Sequence, residues 1–89
     1  MDADRLQIQL ERLHAELLHA DALKPEHRAI LQKLADDIEQ LLKRDEIRPH
    51  HYQRLSEKLR EQIAQLEASH PQITLLMRQA IDSLAYLGI

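Results

Sequence analysis

The stretch PEHRAILQKLADDIEQLLKR, residues 25–44, sets the class of the fold. Ile30, Leu31, Leu34, Ile38, Leu41 and Leu42 recur at three- and four-residue steps, so a helix would carry them on one side and its charges on the other. Pro25 suits a first helical position, where an N–H would have no intrahelical partner anyway. Glu26 suits the positive end of the helix dipole, and Lys43 and Arg44 the negative end, so a helix is expected over about 25–44.

The same pattern continues on both sides. Leu6, Leu10, Leu13 and Leu17, with Leu18 widening the stripe and Asp2 or Asp4 able to cap the start, predict a helix over about 3–20. Pro49 opens another over about 49–68, with Tyr52, Leu55, Leu59, Ile63 and Leu66 on its apolar side. Ser69-His70-Pro71-Gln72 reads as a boundary. The residue before a proline is pushed out of helical angles, and Ser69 with Gln72 has capping-box spacing; a kinked continuous helix is the alternative. The last block, about 71–87, carries Ile73, Leu76, Met77, Ala80, Ile81, Leu84 and Leu87 and stops at Gly88, a suitable C-terminal cap.

The expected fold is all-α: one domain over 1–89, an antiparallel bundle of three to four helices whose last helix starts at Pro71. The connections around residues 21–24 and 45–48 have the length that joins antiparallel neighbours. The third is tighter, and is compatible both with a last helix laid alongside the others and with one turned across the bundle end.

Composition agrees. Val, Asn, Phe and Trp are absent, the only glycine is Gly88, and the chain is rich in residues that lose little rotamer freedom in a helix. The net charge is -3 with both signs interleaved, so no extended basic surface exists to neutralise a run of phosphates, and nucleic acid is not an expected partner. Lys43, Arg44, Arg48, Arg54, Lys58 and Arg60 are interrupted by Asp45, Glu46 and Glu57 and read as a solvated, salt-bridged surface. Without cysteine there is no disulfide or thiolate chemistry. The acidic start, Met1-Asp2-Ala3-Asp4, and the lack of a long apolar run argue against a signal peptide, a membrane span or a membrane partner, leaving the cytoplasm as the expected location.

Leu13-His14-Ala15-Glu16-Leu17, Glu67-Ala68-Ser69-His70-Pro71 and the terminal Leu87-Gly88-Ile89 resemble a family of short bacterial proteins defined only as a domain of unknown function. The resemblance spans nearly the whole chain. It implies a bacterial origin and a freestanding helical domain, and carries no activity, substrate or binding residue with it.

No enzyme and no cofactor are expected. There is no glycine-rich phosphate loop, Ser56, Ser69 and Ser83 stand in helical or capping contexts, and the carboxylates read as surface groups, such as Glu39 with Lys43 and the like-charged Glu57 and Glu61. Histidine offers one sharper hypothesis. At about 100° per residue His14 falls within about 40° of Leu10, His27 within about 20° of Leu34 and His70 within about 20° of Leu59. An up-down-up arrangement brings all three to one bundle end, while His50 and His51 read as first-turn surface residues at the other. Glu11 and Glu67 each stand three residues before a histidine, the spacing used by helical di-iron sites, but the two further inward carboxylates such a site needs are missing. His14 also falls about six residues, or about 9 Å, deeper along the axis than His70, too far to share one ion unless the helices are staggered. No metal site is therefore expected, with His14, His27, His70 and Glu67 as the candidates if one exists.

The other hypothesis concerns the last helix, where Leu75 and Tyr86 lie roughly opposite Leu84 and Ile73, with Gln79 and Gln72 nearby. Two apolar sides imply two partners, although single exposed apolar residues are also ordinary. The resulting expectation is a non-catalytic interaction module that self-associates as a homodimer or binds another protein through Leu75, Gln79 and Tyr86. A small metal- or pH-sensing protein built on the histidines is the alternative.

Overall fold

The computed structural model describes residues 2–21, 24–43 and 49–88, without the side chains of Asp2, Ala3 and Pro49. Four helices follow in order: α1 (Asp2–His19), α2 (Pro25–Leu42), α3 (Pro49–Leu66) and α4 (Pro71–Tyr86). No strand occurs among the described residues. Each helix ends within one or two residues of its expected limit. Glu67 to Ser69 form a turn after α3, and Lys43 caps α2 while bridging Glu39 at 3.5 Å; Arg44 lies outside the described residues.

Proline positions the helix starts. Pro25 and Pro71 each stand in the first turn, preceded by non-helical Lys24 (φ -90°, ψ 130°) and His70 (φ -135°, ψ 63°). The expected capping box does not form, because the N-cap of α4 is His70 itself, which places Ser69 one residue outside. No side chain caps either start. Asp4 lies within α1, so it is not the cap of that helix. Gly88 has a φ of +81°, the left-handed conformation that lets its N–H reach back to the Ala85 carbonyl at 3.0 Å and close α4.

The helices form a square. Around it α1 packs closely on α2 and α4, and α4 on α3, while α2 and α3 touch more sparsely; the backbones of the diagonal pairs stand further apart among the described residues. Gln9 of α1 pairs with Ser83 of α4, and Glu16 and Ala20 share a crevice with Pro71 and Ile73, so α4 runs antiparallel to α1 along its length. The open question of the last helix is thereby answered: it lies alongside. Helices of 18, 18, 18 and 16 residues are matched in length, and the molecule measures 36 × 21 × 19 Å, as a four-rod bundle about 27 Å long plus its turns should.

Leu6, Leu10, Leu13 and Leu17 of α1 meet Leu31, Leu34, Ile38 and Leu41 of α2, Leu55, Leu59 and Leu66 of α3, and Ile73, Met77, Ala80 and Leu84 of α4 in one core. Leu18 corrects the sequence reading. It is 62% exposed, because one step of about 100° beyond Leu17 carries it past the flank that packs on α2.

Candidate functional site

The α1–α4 face is built around one part-buried polar pair. Ser83, buried on the flank of α4, donates a hydrogen bond to the Gln9 side-chain carbonyl of α1. Around it Arg5, Gln9, Gln79, Asp82, Ser83 and Tyr86 line a shallow depression of about 230 Å³. Leu75 is 53% exposed and Tyr86 77%, with Gln79 exposed between them, while Ile73, Met77, Ala80 and Leu84 are buried on the other side. α4 is thus apolar on both sides, and only one is covered by its own chain. Sequence reasoning missed Ile8, which is half exposed and lies about 60° around α1 from Arg5, on the outer shoulder of the same face. One charge of each sign, Arg5 and Asp82, stands among neutral groups in the depression.

The α2–α3 groove has the opposite character. Asp37 bonds Lys58 at 2.8 Å across the groove and Lys33 at 3.4 Å along α2, and Arg54 and His51 line the same space. His51, expected on the surface, is half-buried here, whereas His50 is exposed as expected. Burial works against ionisation of Asp37, but the hydrogen bonds and charges of Lys58 and Lys33 outweigh it, so this carboxyl ionises below its ordinary value of 3.8. A depressed folded-state value means that the stabilisation is complete above the unfolded carboxylate range and disappears as pH falls through the folded-state value. Asp37→Asn should therefore cost about 0.5–1 kcal/mol at pH 7, the scale of partly exposed pairs, and less near pH 2. Urea unfolding at both pH values measures the difference; an equal cost at both would show that the charge is not responsible.

At the end where α2 and α4 begin, His27 and His70 meet with ring centroids 5.9 Å apart and planes at 65°. His14 is half-buried on α1 and joins neither ring, so the structure pairs two of the three converging histidines. Glu67 turns instead to Arg78 of α4, at 2.8 Å. Among the described residues no group of three or more His, Cys, Asp or Glu is placed to hold a metal ion. His50 and His51 lie against each other with centroids 4.0 Å apart and planes tilted by 41°.

Fold and surface define an up-and-down four-helix protein, and no helix of the described residues is long and apolar enough to cross a membrane. The chain belongs to the DUF4404 family, a domain of unknown function, whose sequence profile matches residues 6–89. No curated protein and no solved structure is significantly similar to it.

Proposed function

We propose that this chain is a non-catalytic interaction module of the bacterial cytoplasm that acts as a homodimer, with the outer side of α4 as the contact. The observation that carries this reading is the exposure of Leu75 and Tyr86 on a helix whose opposite side is already filled by the core. Ile8 extends the apolar surface onto α1. Charge also favours this face for a second copy. Arg5 and Asp82 leave it without net charge, whereas the α2–α3 groove, with Lys33, Arg54 and Lys58 against Asp37, keeps an excess of positive charge that would repel its own image. A chain of 89 residues has a small core of its own, and association supplies further burial. Ser83 is held by Gln9 rather than by a base, in keeping with a structural role.

Light scattering during size exclusion tests the proposal on the unmodified protein. The expected molar mass is twice the 10.4 kDa of one chain, falling toward one chain on dilution. A mass of 10.4 kDa at every concentration would refute the homodimer.

A further inference from the structure

We propose that His27 and His70 form a two-imidazole site for a borderline divalent transition-metal ion, of the class of Zn2+, at the end of the bundle where α2 and α4 begin. The histidines arrive from elements distant in sequence, the first turn of α2 and the residue before α4, and each is half-buried. Imidazole nitrogen suits Zn2+, Ni2+ and Cu2+, whereas Mg2+ prefers oxygen.

Distance separates this pair from the other one. With metal–nitrogen bonds of about 2.0–2.1 Å and each ring nitrogen about 1.1 Å from its centroid, two imidazoles on one ion have centroids about 5 Å apart at the tetrahedral angle and about 6 Å at a wider one. The His27–His70 separation of 5.9 Å falls in that range, toward its wider end. At 4.0 Å, with planes tilted by 41°, His50 and His51 stand closer than that range. The His70 ring is not committed to capping α4, since no side-chain hydrogen bond closes that end. On its α1 side His70 borders a crevice of about 250 Å³ with Glu16 on its wall, so solvent reaches this ring. Two protein ligands plus water make an open site, and the ion would tie the start of α2 to the α3–α4 junction.

The test is calorimetric titration of Zn2+ into the metal-free full chain, with Mg2+ as the control ion, for the wild type, His27→Gln, His70→Asn and the double variant His50→Gln/His51→Gln. His70→Asn puts a preferred capping residue at the N-cap, so loss of binding in that variant does not report loss of folding. The expected result is one Zn2+ per chain, at least about tenfold weaker binding in either His27→Gln or His70→Asn, since losing a direct ligand should cost no less than losing its supporting partner, and unchanged binding in the double variant. Zn2+ should also raise the Tm of the wild type but not of His70→Asn, with no change in molar mass. Absence of binding, equal affinity in the wild type and both single variants, or loss of binding in the His50/His51 variant would overturn the proposal.

Discussion

Leu59→Ala should lower the free energy of unfolding by about 2–5 kcal/mol, among the largest losses expected from a conservative truncation in the chain. Leu59 stands in the middle of α3 with no exposed surface, on the helix that closes the square between α2 and α4. Truncation removes three carbon atoms from a core built mainly of leucine side chains, which can close the gap only in part. A domain of this size has about 4–13 kcal/mol in total, so a loss at the upper end of the range would leave a substantial unfolded fraction. Urea unfolding followed by circular dichroism measures it. Leu18→Ala, made in parallel at the 62% exposed position, should stay within about 0.5 kcal/mol of the wild type. Equal costs at the two positions would contradict the assignment of core and surface.

Leu75→Glu or Tyr86→Glu should convert the homodimer to a monomer, halving the mass to 10.4 kDa at matched concentration. Each places a carboxylate in a contact that association would dry, and a charge left there without a partner costs more than a dimer of modest area can absorb. A loss of about 2 kcal/mol or more, the scale of an interface hot spot, weakens association about thirtyfold. Neither change touches Ile73, Met77, Ala80 or Leu84, so helicity and unfolding of the monomer should be preserved. Lys33→Glu on the α2–α3 groove is the matching control and should leave the dimer intact. Dissociation by Lys33→Glu but by neither α4 variant would move the interface to that groove.

Much of this architecture is legible residue by residue. The leucine steps of α1 and α2 and the first-turn prolines of α2 and α4 locate the helices, because local propensity, capping and periodicity agree there. Leu18 shows the limit of the stripe. It follows Leu17 in the chain, but a helix separates consecutive residues by nearly a third of a turn, so only a neighbour on that flank could cover it. Polar burial is less legible. Ser83 is buried because Gln9, at the far end of the chain, answers its hydroxyl, and Thr74 because its own hydroxyl reaches the Pro71 carbonyl at 3.0 Å. The position of α4 depends on whole helix lengths rather than on the short junction before it. Among the histidines, antiparallel order is enough to bring His27 to His70. The depth of His14 along α1 keeps it apart.

Two-sided use of α4 is the central claim, and intermolecular contacts test it most directly. In a mixture of isotope-labelled and unlabelled protein, filtered nuclear Overhauser spectra register only protons that approach one another across two chains. The expected contacts run from the Leu75 methyls and the Tyr86 ring to the partner's α1–α4 face, with the Ile8 methyls among them. A dimer whose intermolecular contacts avoid Leu75 and Tyr86, or a sample with no intermolecular contact at all, would contradict it.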